Sequence, residues 1–198
     1  MKDYFKVDNF IEKEYLKIIS DYCKIKFRNQ KTFFGSRWDP TRPGQGAFTN
    51  HMVNFYADPL TEALLLKQHQ KMEEVTGLKL FPTYSFWRMY VQGSTLERHS
   101  DRPSCEISAT ITIDKSDDTD WPIYMDGTPI YTNKGDAAIY KGCEVDHWRE
   151  PLRTDWNLQV FLHYVDANGK NTQYALDERH RIGVPGQGRN PWLIENEI

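Results

Sequence analysis

His99 and Asp101 stand two positions apart in the stretch LERHSDRPSCEIS, residues 96–108. An extended chain would turn both side chains to the same side, so one metal ion could be shared by an imidazole and a carboxylate. The tripeptide alone is a weak signal: with six histidines and sixteen aspartates in the chain, a chance occurrence is unsurprising. Its bland reading is a surface ion pair at a strand end. A third ligand must come from another element, and His147 is the candidate. It lies in YKGCEVDHWREP (140–151), just after an extended apolar run and before the Pro151 turn. Two imidazoles and one carboxylate on one side of an ion leave the opposite positions open, the facial arrangement that suits a non-haem Fe(II) centre. Such a set leaves ferrous iron with a net positive charge and favours an anionic, chelating co-substrate. The far carboxylate of that molecule would need a cation, and the planar fork of an arginine fits a carboxylate bidentately.

The elements that must position these residues divide the chain in two. In residues 10–23, Ile11, Tyr15, Ile18, Ile19 and Tyr22 form one helical stripe. Residues 28–57 read as loop and short extended pieces, with turn chemistry at Asp39-Pro40 and in RPGQG. A second helix starts at Asp58 as N-cap with Pro59 in its first position, carries Leu60, Ala63, Leu64 and Val75, and ends at Gly77. From residue 80 the pattern becomes β-branched and aromatic. SFWRMYVQ (85–92), SCEISATITI (104–113), DAAIYKGC (136–143) and NLQVFLHYV (157–165) are bounded by Gly, Pro or Asp. Short strands at this spacing predict a sandwich, jelly roll or barrel rather than a parallel βαβ sheet.

Composition narrows the class. The chain has 198 residues, enough for one domain with a substantial core, and 39% hydrophobic residues mark it as globular. A net charge of -3 argues against non-specific nucleic-acid binding. Cys23, Cys105 and Cys143 are odd in number and far apart, which gives neither a zinc pair nor a disulfide framework. The opening MKDYFKVDNF lacks the apolar region of a signal peptide, and no apolar run reaches the length of a membrane span. The expectation is a cytoplasmic protein with free thiols.

Three segments then carry a resemblance. YVQGSTLERHSDRPSCEISATITI, GDAAIYKGCEVDHWREP and QVFLHYVD resemble the 2-oxoglutarate/Fe(II)-dependent dioxygenases, nearest to their prolyl 4-hydroxylase-like group, over about residues 84–166. The stretch from YADPL to EEVTGLKLFPTYSFWRMY is similar to the helical layer that precedes the core in that group. The resemblance implies a mainly β fold, a double-stranded β-helix (jelly roll, cupin-like), in a single domain over 1–198. Residues 1–78 would form an N-terminal helical layer, 79–170 the core, and 171–198 an irregular C-terminal tail. It also implies Fe(II) held by His99, Asp101 and His147, with 2-oxoglutarate as co-substrate and O2 as oxidant. The reaction would hydroxylate an unactivated C–H of a protein side chain, a prolyl one included, or of a small metabolite, releasing succinate. Tyr90, nine before His99, matches a tyrosine that helps hold the co-substrate. The family's usual cation for the far carboxylate lies nine or ten positions after the distal histidine, where this chain has Trp156 and Asn157. Arg149 is the substitute, with Arg153 second, and Thr110 and Thr112 could donate hydroxyl hydrogen bonds. Arg149 reads equally as a structural ion pair with Glu150 or Asp146. Two other classes stay open: a cupin-like isomerase or hydrolase using zinc or manganese, and a non-catalytic jelly-roll binding module.

The remaining candidates have plainer readings. His51, His69, His163 and His180 are surface or hydrogen-bonded histidines, although His163 lies on a core strand and could line the pocket. Arg98 and Arg102 could face substrate or solvent. Trp121, Trp148 and Trp156 are packing residues, and Cys105 and Cys143 are small hydrophobes near the core. Residues 115–134 and the tail after 170 are expected to border the pocket mouth outside the core sheet, with Asp117, Asp118 and Asp120 solvated.

Overall fold

The structure is a computed structural model that describes residues 1–29, 48–49 and 52–183. The turn expected at Asp39-Pro40 and RPGQG, His51, and the end of the tail lie outside these residues. The strands are β1 (Tyr4–Val7), β2 (Phe48–Thr49), β3 (Met52–Tyr56), β4 (Leu80–Val91), β5 (Leu96–His99) and β6 (Ile107–Lys115). They continue with β7 (Ile123–Met125), β8 (Thr128–Ile130), β9 (Ala137–Lys141), β10 (His147–Arg149) and β11 (Trp156–Asp166). Two antiparallel sheets result: a large one ordered β1-β9-β6-β11-β4-β3-β2 and a small one ordered β5-β10-β7-β8.

Alternation along the central strands divides the chemistry of the large sheet. On β6, Ile107, Ala109, Ile111 and Ile113 enter the main apolar cluster, as do Leu158, Val160, Leu162 and Tyr164 of β11 and Trp87 and Met89 of β4. The residues between them are polar or aromatic: Ser108, Thr110 and Thr112 on β6; Asn157, Gln159, Phe161 and His163 on β11; Tyr84, Phe86, Arg88 and Tyr90 on β4. A core sheet with one polar face is stable only if that face lines a site or satisfies its own hydrogen bonds.

Helices cover the apolar face. In α1 (Lys13–Arg28), Ile19, Ser20 and Cys23 are buried and Leu16 and Phe27 pack on the cluster, whereas Tyr15 is 39% and Ile18 61% exposed. The expected stripe holds at Ile19 and at Tyr22, which packs on the cluster, and fails at Tyr15 and Ile18, so the buried face is rotated toward Leu16, Ser20, Cys23 and Phe27. Ser20 Oγ donates to Asp114 at 2.6 Å and Lys24 pairs with the same carboxylate at 2.6 Å, contacts to β6 that require the 16/20/23/27 face. Ile11 is buried but precedes the helix. The second expected helix is two, α2 (Pro59–Lys67) and α3 (His69–Thr76), divided at Gln68, whose ψ of -1° leaves the helical range. Its ends are as expected: Asp58 caps Leu60 N–H at 3.1 Å, and Gly77 takes a positive φ of 72°.

Residues 1–78 thus supply strands β1 to β3 to the large sheet as well as helices. Residues 115–134, expected outside the sheets, contain β7 and β8, the outer hairpin of the small sheet. Asp126 and Gly127 join them with φ of 48° and 88°, the geometry of a type I′ turn, for which Asp-Gly is a strong signal. Asp117, Asp118 and Asp120 are exposed. No helix among the described residues is long and apolar enough to cross a membrane.

Candidate metal centre

The small sheet brings His99 and His147 together. β10 runs antiparallel to β5 with His147 directly opposite His99, and the two rings lie 4.3 Å apart between centroids. Asp101 follows just past the end of β5, its N–H bonded to Gly142 O at 2.7 Å. His99 Nε2 and His147 Nε2 approach Asp101 Oδ1 at 3.5 and 3.6 Å. Each Nδ1 is already engaged with a carbonyl two residues back, Glu97 O at 2.7 Å and Val145 O at 3.0 Å. Those carbonyls call for protonated Nδ1 atoms and leave both Nε2 lone pairs facing the carboxylate, the tautomer that a metal ligand needs. One potential ligand atom from each of the three residues lies within 4.8 Å of the others.

Gly142 permits this arrangement. A Cβ there would lie 2.1 Å from Cys105 O and 2.6 Å from Asp101 Oδ2, so the turn after β9 can approach the carboxylate only without a side chain.

Charge follows the geometry. The neighbouring Asp101 carboxylate, which favours a charged ring, raises the pKa of His99 above the usual histidine value. Burial alone would raise that of Asp101, but His99, His163 and His147 outweigh it and hold the carboxylate below its ordinary range. Burial lowers His147 and pushes His163 down to about 4. At neutral pH the site therefore holds a carboxylate and uncharged buried imidazoles.

His99, Asp101 and His147 line a cavity of about 150 Å³ together with Tyr84, Phe86, Arg88, Leu96, Tyr140, Phe161 and His163. His163 Nδ1 meets Ser108 Oγ at 2.8 Å, and Ser108 lies 3.5 Å from Asp101 Oδ2.

Arg149 is buried, 1% exposed, and is not one of the residues that line this cavity. One Nη1 proton reaches Trp121 O at 2.8 Å, and the guanidinium sits 4.6 Å from the Trp121 ring centre, while Nε and Nη2 have no hydrogen-bond partner among the described residues. The alternative ion pairs with Glu150 or Asp146 are not formed; Asp146 pairs with Arg98 instead. Burial pushes the Arg149 pKa down to about 10. The bulge in this part of the small sheet falls opposite, on β5, so Arg149 keeps the inward phase of His147.

No family model matches the sequence, and no curated protein matches it. Solved structures do. A viral collagen prolyl hydroxylase from Paramecium Bursaria Chlorella virus-1, solved as a 2OG complex, is 12% identical; the match covers 82% of this chain and 95% of that one with a TM-score of 0.61. A prolyl-4-hydroxylase from Pseudomonas putida is 14% identical over 83% of this chain and 92% of that one, TM-score 0.62. The fold is that of the 2OG-Fe(II) oxygenases. Other chemistries share it: SnoK, an alpha ketoglutarate dependent carbocyclase from nogalamycin biosynthesis, is 12% identical over 94% of this chain and 90% of that one, TM-score 0.65.

Within this oxygenase fold the other sequence candidates take definite places. Tyr90 is fully buried, with its hydroxyl accepting from Arg88 Nη1 at 3.0 Å and its ring edge-on to Trp121 at 4.8 Å. Thr112 Oγ1 accepts from Gln159 Nε2 at 2.9 Å, and Thr110 Oγ1 donates to Gln159 Oε1 at 3.4 Å. Asn157 joins the same neutral network through Gln159 Nε2 at 2.6 Å. Arg153 is exposed and outside the cavity. Arg102 does not face the cavity but forks onto Asp177 at 2.7 Å through both Nη atoms, and so ties the tail to the residue after Asp101. Trp148 stacks on Tyr124 at 5.3 Å, Trp156 packs on the main core, and Cys105 is buried. Sequence reasoning missed Arg88, Phe86, Tyr140 and Phe161 as cavity residues. The signal available was their alternation with apolar partners along β4, β9 and β11.

Proposed function

We propose that the protein is an Fe(II)- and 2-oxoglutarate-dependent oxygenase that hydroxylates an unactivated C–H bond. The observation that carries this reading is the convergence of His99, Asp101 and His147, both free Nε2 atoms on one carboxylate oxygen. Two nitrogens and a carboxylate oxygen are the donor set that ferrous iron takes with positions left open. Bound iron with 2-oxoglutarate and O2 would supply the oxidising chemistry, with the co-substrate lost as succinate and CO2.

The chain's own residues supply holding and exclusion. The carbonyls of Glu97 and Val145 fix the ring orientation of the two histidines, and Gly142 O fixes the backbone of Asp101. Arg149, with two unpartnered buried donors, is the anchor for the far carboxylate of 2-oxoglutarate, a dianion whose burial needs a fixed cation. Tyr90, Thr110 and Thr112 are the neutral groups that complete its seat. Phe86, Phe161 and Leu96 keep the cavity wall apolar around the bond to be oxidised. The substrate is a protein side chain, a prolyl one among them, or a small metabolite. Free thiols fit a cytoplasmic setting.

The test is anaerobic addition of Fe(II) and 2-oxoglutarate, followed by O2. A visible charge-transfer band and then succinate are expected. Metal binding without either would instead favour a zinc or manganese isomerase or hydrolase.

A further inference from the structure

Among the described residues Arg88 is the one arginine that lines the cavity, and the co-substrate assignment gives it no role. It projects from β4 between three aromatic rings, 5.3 Å from the centres of Phe86 and Tyr90 and 5.8 Å from that of Phe161. Among the described residues its two hydrogen bonds go to neutral acceptors, from Nε to Asn54 Oδ1 at 2.6 Å and from Nη1 to Tyr90 OH at 3.0 Å. A guanidinium has five N–H groups, so three are left over. No carboxylate pairs with it among the described residues, whereas Arg98, Arg102 and Arg179 each have one. The ring contacts and the two neutral bonds hold the fork in place without neutralising it, which is how a protein keeps an anion site ready.

The charges leave room for one more anion. Ferrous iron with Asp101 carries one net positive charge, and Arg149 adds another; a 2-oxoglutarate dianion cancels both. Arg88 is then uncompensated in a partly apolar cavity, where an isolated charge is costly. Its position also differs from that of Arg149. Arg149 is fully buried and does not line the cavity, whereas Arg88 is half-buried and lines it together with Phe86, Leu96 and His99.

We propose that Arg88 binds a carboxylate of the oxidised substrate, so that the substrate class is a small carboxylic acid whose apolar body lies against Phe86, Phe161 and Leu96. This rests on the oxygenase reading above and names the substrate chemistry of the same cavity.

Calorimetric titration of the full chain, anaerobic and loaded with Zn(II) and 2-oxoglutarate, tests it without turnover. The probes are two matched pairs, 3-phenylpropanoate with 3-phenylpropanamide and hexanoate with hexanamide. At least one acid should bind wild type tenfold or more tightly than its amide. Arg88→Gln should bring that ratio within twofold, and Arg88→Lys, which keeps the charge, should restore part of it. The proposal is overturned if no acid outbinds its amide in wild type, or if Arg88→Gln keeps the preference. It is also overturned if Arg88→Gln weakens 2-oxoglutarate binding more than Arg149→Gln does, since Arg88 would then be the co-substrate anchor. A wild-type protein that takes up neither Zn(II) nor 2-oxoglutarate overturns the oxygenase reading, and this inference with it.

Discussion

His147 stands directly across the small sheet from His99, and both rings aim their Nε2 atoms at the same oxygen of Asp101. The placement of the two imidazoles is thus fixed by strand register rather than by side-chain flexibility. A slip of one residue would turn His147 to the outer face, where Trp148 now stacks on Tyr124.

On the proposed metal reading, removing either imidazole leaves two protein ligands. His99→Ala and His147→Ala should each abolish the Fe(II)–2-oxoglutarate band and succinate formation, with metal affinity weakened at least a hundredfold. Anaerobic spectroscopic titration checks this. A His99→Ala protein with wild-type band and turnover would exclude the triad.

Arg149 should oppose stability and serve binding. Arg149→Gln should raise the apparent 2-oxoglutarate constant by roughly thirty-fold or more, from the loss of about 2–5 kcal/mol of charge-assisted contact. Arg149→Met, which removes a buried unpaired cation and keeps most of its volume, should stabilise the ligand-free protein by about 1–3 kcal/mol. Denaturant melts with and without 2-oxoglutarate separate the two effects. If the methionine variant is less stable and still binds co-substrate, Arg149 is structural.

Gly142→Ala places a methyl group against Cys105 O and Asp101 Oδ2. The turn or the carboxylate has to move, so metal affinity should fall by tenfold or more and stability by about 2 kcal/mol. Metal titration beside a thermal melt reads both, and unchanged values in the two would mean that the approach can relax.

Asp114 couples α1 to the sheet. Burial would raise its pKa, but Lys134, Lys24 and Ser20 outweigh this and hold it well below the ordinary carboxylate range. A folded pKa below the unfolded one contributes stability that is fully present above the unfolded value of 3.8. That stability is lost as pH falls through the folded value. Asp114→Asn should therefore cost about 2 kcal/mol near neutral pH, with the deficit shrinking below pH 4. Denaturant titrations at pH 7 and pH 3 measure the difference, and an equal deficit at both would assign the cost to packing alone.

The sequence by itself determined what local rules govern. The H-x-D pair, the later histidine, the four long strands, the cap at Asp58 and the stop at Gly77 all follow from spacing, β-branching and backbone preference over a few residues. Alternation also required that the polar residues of β4, β6 and β11 share a face. What lies across from that face was decided only by tertiary structure. The phase of α1 was set by Asp114, distant in the chain, and overrode the most apolar stripe. β1 exists because β9 offers it an edge, and its own four residues carry little signal. β7 and β8 were legible in principle from Asp126-Gly127, but three-residue strands are too short for periodicity to register. Arg149 and Arg153 are both basic residues after the distal histidine, yet one is buried unpaired and the other exposed, because β10 ends at Arg149. Arg88 carried no local mark beyond that alternation. An arginine on a strand becomes a site only when a second sheet encloses the face from which it projects, and that enclosure is a property of the packed molecule.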